Sequence, residues 1–465
     1  MDERFHFADT PGKSSGKISH YILGSEIKVF TARNDPTSFE WGKSYEFPIG
    51  NSPFLISNKN HVQLTLQFEQ IKKTDNKAEP FVDGHEDNYT LVDNLGSACI
   101  ESVSMRQGLD TLETDAFVPK GRILYENFAL AHAHDTVKDV YTFAPQDTAK
   151  QTYISTVDRD KGNKAWLKKY LQDGCSLHVA PFAWPFQYRN RSTAHEVAFP
   201  NTGQDLTIVI TLTQSMRHLF ASTKNTHDFV IKVIGLNLVM AMPRFSSDGI
   251  RAITNRKLSP LRYDGNFVTQ YSQNIAGSPQ DFHFSLQNIP MPHYMILQLF
   301  DPNYFTGQPT ADYTALIDTP IKLVLSSLRI KFGNKNLNFE TANFNVGTPG
   351  SELLRQEIIK TSNVFDNKLN NPKYFASNSR TYTKHHILVS FCSDEKNQTL
   401  LTPLDANSDP SEPQTLSVAL IGTDRTKIPN GKLLVTLIYK NMHLQYNVAT
   451  GTFLPRDLKS LVIGG

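Results

Sequence analysis

The sequence predicts an all-β protein built as two β-sandwiches in tandem, and three observations predict it. Apolar and polar residues alternate with period two in segment after segment, as in Val62–Phe68, Ile100–Met105, Leu206–Leu212 and Ile321–Phe332. Such alternation marks a strand with one buried face. The 25 glycines and 25 prolines punctuate these segments as turns between short strands require. Finally, 465 residues hold more strands than one open twisted sheet carries without curling or splitting, so two packed units are expected.

Taken in order, residues 1–30 are Gly/Ser/Lys-rich over Pro11–Gly16 and lack sustained periodicity, which predicts a flexible N-terminal arm. A first unit follows over 31–245. Tyr45–Gly50 leads into Val62–Phe68, the first full strand, and polar Lys72–Asp87 reads as a surface loop. Tyr89–Asn94 and Ile100–Met105 come next, and Gly108-Leu109-Asp110 turns the chain. Leu124–His134 and Trp166–Leu171 are short helix candidates, the second because Gly174 follows its last turn. Leu177–Phe182, Leu206–Leu212 and Phe229–Met240 supply the remaining strands of this unit.

From Pro243 short polar segments begin, so 246–280 is expected to hold the connection and the entry to a second unit spanning 281–465. That unit opens with Asp281–Asn338: an alternating segment to Leu286, a Pro290-Met291-Pro292 break, apolar Tyr294–Phe300, a Pro/Gly/Asp-rich excursion over Asp301–Pro320, then Ile321–Phe332 closed by Gly333-Asn334. Strand, long surface loop, strand is the expectation. Gly350–Ile359, with Ser351 as N-cap candidate, predicts a helix. His386–Phe391, Leu416–Leu420, Leu433–Tyr439 and His443–Val448 complete the strands.

Composition narrows the function. With Lys+Arg 47 against Asp+Glu 45 the net charge is +2, too balanced for a protein that coats nucleic acid. Cys99, Cys175 and Cys392 lie far apart with no CxxC pair, which excludes a disulfide framework or a zinc ribbon and suits buried, reduced thiols of a protein folded inside the cell. Met1–His6 is charged and without an apolar core, so no secretory leader is expected, and the sequons at Asn88, Asn190 and Asn397 are coincidental on that view. No stretch of 18 apolar residues predicts a membrane span.

No motif for a P-loop, dinucleotide fingerprint, zincin, hydrolase elbow or EF-hand is present, so no catalytic residue, cofactor or metal is expected. His132-Ala133-His134 could place two imidazoles on one strand face, but lacks a third ligand at a known spacing; solvated histidines are the adopted reading. His385 and His386 would point to opposite faces of a strand. Cys175 with His178 lies in no nucleophile motif. The cluster Trp184-Pro185-Phe186-Gln187-Tyr188-Arg189 interleaves aromatics with a cation; such a patch stacks sugars or bases in some proteins and more often fills a subunit interface.

In this strand order the chain resembles the double jelly-roll major capsid proteins of large-capsid DNA viruses, most closely the Polinton/Maverick and adintovirus-like group. Tyr45–Ile49 with Phe54-Leu55-Ile56 and Val62–Leu66 is similar to the family's opening strands. Asp93–Ser97 with Ile100–Met105 resembles its Asn-x-x-x-Ser strand, and Phe229–Met240 the end of its first roll. Ile289–Leu299 with Asn303–Gly307, and the finish at Gly431–Leu437, resemble the second. Gln308-Pro309-Thr310 stands where many relatives carry Asn-Pro-Phe, and Phe391-Cys392-Ser393-Asp394 where they carry Phe-Asp-Leu-[ST]-Pro, the marks of a divergent member.

The resemblance implies two tandem eight-stranded jelly rolls with a few short helices in loops, a homotrimer whose six rolls form a pseudo-hexameric capsomer, and an icosahedral shell assembled inside the host cell. It further implies a single jelly-roll penton protein and minor capsid proteins as partners, with no sequence-specific nucleic acid. Subunit contacts would fall on loops marked by Lys72 and Asp87, by Asp110, by Trp184 and Tyr188, and by Asp301, Tyr304, Phe305 and Pro320. A β-sandwich carbohydrate- or receptor-binding protein, using Trp184 to Tyr188, is the alternative.

Overall fold

A computed structural model describes residues 22–56, 60–79, 89–91, 95–115, 146–147, 152–153, 172–179, 197–199, 205–222, 227–254, 261–302, 321–339, 386–391, 414–447 and 452–453, apart from a few single or paired positions within these ranges. Among the described residues eight longer strands build the two main sheets of the first unit: β1 (Ile22–Thr31), β2 (Ser44–Gly50), β3 (His61–Lys72), β4 (Ile100–Gln107), β5 (Asp110–Asp115), β6 (Cys175–Val179), β7 (Leu206–Leu212) and β8 (His227–Phe245). They pair antiparallel in two sheets, β1-β8-β3-β6 and β2-β7-β4-β5. Short helix α1 (Leu95–Ala98) precedes β4.

Period-two patterning builds the layer between these sheets. Along β3, Val62, Leu64, Leu66 and Phe68 point inward and are buried. They pack in one cluster with Val103 and Met105 of β4 and Ile208 and Ile210 of β7. Each such side chain contributes about 1.5–3 kcal/mol relative to exposure. Gln63, Thr65 and Gln67 alternate outward.

The second unit repeats the pattern: β9 (Leu261–Ile275), β10 (Asp281–Ile289), β11 (Tyr294–Phe300), β12 (Leu325–Phe332), β13 (Lys335–Phe339), β14 (His386–Ser390), β15 (Gln414–Gly422) and β16 (Gly431–Asn447). Its sheets run β9-β16-β11-β14 and β10-β15-β12-β13. Numbered within each unit, the first sheet is therefore 1-8-3-6 and the second 2-7-4-5, the strand order of a jelly roll in both cases. Met295, Leu297 and Leu299 of β11 face Leu433, Val435 and Leu437 of β16 and the second sheet's Phe284, Ile330 and Val418. On the other face of β11 and β16, Ile296, Phe300, Leu434 and Thr436 are also buried, so the middle of this sheet is enclosed on both sides.

Several expectations change. Residues 22–30 belong to no arm: they pair with β8 from Ile22 opposite Phe245 to Thr31 opposite Asn237. Periodicity is weak there because β1 is an edge strand with apolar residues on both faces. Ser44–Gly50 is a complete strand, so Val62–Phe68 is not the first. Strand β8 runs through Pro243, which the sequence suggests as its end. Ala241 N–H, two residues earlier, points to the side of β3 and meets Asn60 instead of a strand, because β3 begins only at His61, opposite Val239. The missing N–H of Pro243 falls on that same side, where no ladder bond is lost.

Helix α2 (Ser247–Thr254) also escapes the sequence reading, although Ser246 caps it, its Oγ accepting Gly249 N–H at 3.0 Å. The helices expected at Leu124–His134, Trp166–Leu171 and Gly350–Ile359 lie outside the described residues, as do the histidines at 132, 134 and 385, Cys392, and the three sequon asparagines. Among the described residues no helix is long and apolar enough to cross a membrane.

Candidate assembly surface

Topology alone sorts the connections between strands. Strand β3 ends where β8 begins, Lys72 standing opposite His227, and β4 and β5 form a tight hairpin with Gln107 opposite Asp110. The intervals after β3 and after β5 are therefore anchored at one end of the roll, and the hairpin and the interval between β6 and β7 at the other. The second unit follows suit: the interval after β11 and the one after β13 share an end, opposite the hairpin Phe332–Lys335.

This arrangement separates the residues that the sequence groups together as contact positions. Lys72 and Asp301 stand at equivalent places, each at the close of the third strand of its roll. Asp110 is at the opposite end, and it is a strand residue rather than part of a loop: the Gly108 turn, φ 60°, delivers it straight into β5. Trp184 and Tyr188 fall in sequence between β6 and β7. Asp87, Trp184, Tyr188, Tyr304, Phe305 and Pro320 themselves lie outside the described residues.

The two anchors are built differently. Lys72 ends its strand in a compact turn rather than opening a long loop: its N–H donates to the Lys77 carbonyl at 3.0 Å, and Asn76 N–H to the Lys72 carbonyl at 2.9 Å. Asn76 takes φ 55°, a conformation asparagine tolerates. Ala78–Glu79 then pairs back on Gln70 and Ile71. Glu79 sits between Lys72 Nζ at 3.7 Å and His227 Nε2 at 3.3 Å. At the second anchor, Ile321 N–H donates to the Leu299 carbonyl at 2.6 Å, so the chain leaves and rejoins β11 at one point.

The surface that stands out was not singled out from the sequence. Among the described residues the large apolar side chains that are exposed are Leu23, Ile27, Val29, Ile234 and Ile250, and three of these five lie on β1. Ile27 and Val29 share the outer face, 56% and 54% exposed, because Phe30 on the alternate face enters the core. Leu23 is 74% exposed at the irregularity between Ile22 and Gly24. Strand β1 pairs with β8 alone, so an apolar stripe coincides with a sheet edge. Exposed Glu26 and Lys28 put charge on the alternate face of the same strand, so the apolar stripe is confined to one face of the edge.

Beyond the end of β1, the free side of β8 is closed from within. Trp41 Nε1–H donates to the Ile231 carbonyl at 2.8 Å, Met216 Sδ accepts Ile231 N–H at 3.2 Å, and Phe39 bridges Val233. Cys99 and Cys175 are buried, and burial pushes both thiols up, Cys175 to about 12. Such thiols are poor nucleophiles and ligands. Among the described residues no group of three or more His, Cys, Asp or Glu is placed to hold a metal ion.

Two jelly rolls of identical strand order in one chain define the double jelly-roll class, and solved structures share it over almost their whole length. The crystal structure of the mavirus major capsid protein aligns with TM-score 0.52 and 12% identity over 92% of this chain and 89% of that one. A chain of the Sputnik virophage, solved by cryo-EM, aligns with TM-score 0.52 and 8% identity over 98% and 94%. A chain of the PBCV-1 virus capsid gives 0.50 and 10% over 93% and 97%. At these identities the likeness is one of fold. Neither a comparison with protein-family models nor one with curated proteins finds a match.

Proposed function

We propose that this chain is a major capsid protein whose trimers form pseudo-hexameric capsomers and tile an icosahedral shell. The observation that carries the reading is the pair of jelly rolls with one strand order, 1-8-3-6 over 2-7-4-5, within a single chain. Three such chains around an axis give six similar units, so a threefold particle acquires a sixfold outline and packs on a hexagonal net. The apolar edge on β1 supports association, since covering Leu23, Ile27 and Val29 removes from water surface that the isolated chain leaves exposed. The mavirus, virophage and PBCV-1 neighbours support a virion location, and membership of the Polinton/Maverick and adintovirus-like group is the finer form of the proposal. On this reading the vertices are closed by a single jelly-roll penton protein, with minor capsid proteins between capsomers.

Electron microscopy with light scattering on the purified protein tests this directly. Trimers with a hexagonal outline are expected. A stable monomer at micromolar concentration overturns the proposal.

A further inference from the structure

The outer face of sheet β10-β15-β12-β13 carries an open depression of about 360 Å³ with a composition of its own. Phe284, Ile330 and Val418 turn inward to the core, so the alternate residues form its surface. The central strand β15 offers only the small side chains Ser417 and Ala419, which makes a low floor. The lining forms two rows across the sheet, His283, Ala419 and Arg329 in one and Ser285, Ser417 and Lys331 in the next, with His283, Arg329 and Lys331 the larger groups beside that floor. The hydroxyls of Ser285 and Ser417 lie 2.9 Å apart, and Asn336 of β13 stands beside Lys331.

Charge and spacing select the ligand. Arg329 and Lys331 are both exposed and sit two residues apart on one strand, about 7 Å along it. An extended peptide places its residues i and i+2 at that same repeat, so two carboxylates in an alternating acidic segment meet the two cations in register. The serine hydroxyls and the Asn336 carboxamide can both donate and accept, as a peptide backbone laid across the floor requires. Single-stranded nucleic acid shares the charge but needs aromatic platforms for its bases, and the phenylalanines of β10 are turned toward the core. Asp281, two residues before His283, is the described carboxylate on this face of β10.

We propose that this saddle is a docking site for an extended acidic segment of a partner polypeptide. The proposal stands on the sheet face alone and goes beyond the capsid reading, so it is testable whatever the oligomeric state.

The experiment is fluorescence anisotropy with the full chain and a dye-labelled hexapeptide alternating Asp and Ser. Saturable binding is expected, absent for the peptide alternating Asn and Ser and weakened by added salt. Arg329→Gln with Lys331→Gln, two exposed positions, should weaken it about tenfold. Unchanged circular dichroism and thermal midpoint would show that the fold is kept, and Ala419→Leu, which raises the floor, should weaken binding as an independent probe. Equal binding of the Asn peptide, or undiminished affinity in the double glutamine variant, overturns the proposal. So does tighter binding of an oligothymidylate, or displacement of the peptide by inorganic phosphate at equal concentration, which would mark a general anion site.

Discussion

Asn60 binds the end of the long strand β8 to the segment that enters β3: its Oδ1 accepts Ala241 N–H at 2.8 Å while its Nδ2 donates to the Leu55 carbonyl at 2.6 Å. Its side chain is wholly buried. Replacing it with alanine leaves a donor and an acceptor without these partners in a dry site, and each such group costs about 1–3 kcal/mol. Asn60→Ala should therefore lower the unfolding free energy by about 2–4 kcal/mol in urea titration. Asn60→Leu, which restores volume but not the bonds, should rescue little of it.

Two glycines with nearly the same backbone separate strain from space. Gly174 and Gly277 have φ +74° and +76°, but a Cβ on Gly174 would meet the Leu66 carbonyl oxygen at 2.7 Å, whereas around Gly277 nothing lies within 4 Å. Gly277→Ala should cost about 1–2 kcal/mol, the left-handed backbone alone. Gly174→Ala adds the clash against backbone that cannot swing aside, and should cost about 1–3 kcal/mol more. Equal losses in thermal unfolding would show that β6 shifts freely against β3.

The buried thiols predict an alkaline limit to stability. Desolvation raises Cys99, with the neighbouring Cys175 adding to it, and raises Cys175 to about 12. In the unfolded chain a thiol ionises near pH 8.5, about its ordinary value. Below that pH both states hold the proton and stability is unaffected; above it the unfolded chain gains by ionising while the folded one does not. Stability should thus fall progressively from about pH 9 toward 12. Cys99→Ala with Cys175→Ala should flatten that decline. At pH 8, iodoacetamide should spare both residues in the native protein and label both in urea, as peptide mass spectrometry would show.

The strands were legible where one face is buried, as along Val62–Phe68 and Leu416–Leu420, because alternation is then forced by the core. Apolar Tyr294–Phe300 was legible as a strand for a different reason, its continuous run fitting a strand enclosed on both faces. Strand β1 was not legible: Phe30 faces the core while Leu23, Ile27 and Val29 face outward and are exposed, so no period-two pattern emerges. The apolar edge on β1 was overlooked for the same reason. Proline- and glycine-rich segments signal loops, which drew attention to Lys72–Asp87 and Asp301–Pro320, while an apolar sheet edge has no local signature distinct from a core strand. Nor could local sequence show that Asp110 belongs to the end opposite Lys72, since that follows from pairing between distant strands.

That edge yields the sharpest test of assembly. Ile27 and Val29 are more than half exposed on the outer face of β1, opposite Ala241 and Val239, and lie outside the core cluster. Substituting both with lysine should leave the fold intact, changing the thermal midpoint little, because surface substitutions typically fall within about 0.5 kcal/mol. If the stripe is covered in the trimer, the same change removes apolar burial worth about 1 kcal/mol per residue and places two cations in a dry contact. At three equivalent contacts per particle this should convert trimer to monomer at micromolar concentration, read as a threefold drop in mass by light scattering. Lysine at Glu26, on the alternate face of the same strand, should leave the mass unchanged. A trimer that survives Ile27→Lys with Val29→Lys would place the subunit contacts elsewhere, with the intervals anchored at Lys72 and Asp301 next in line.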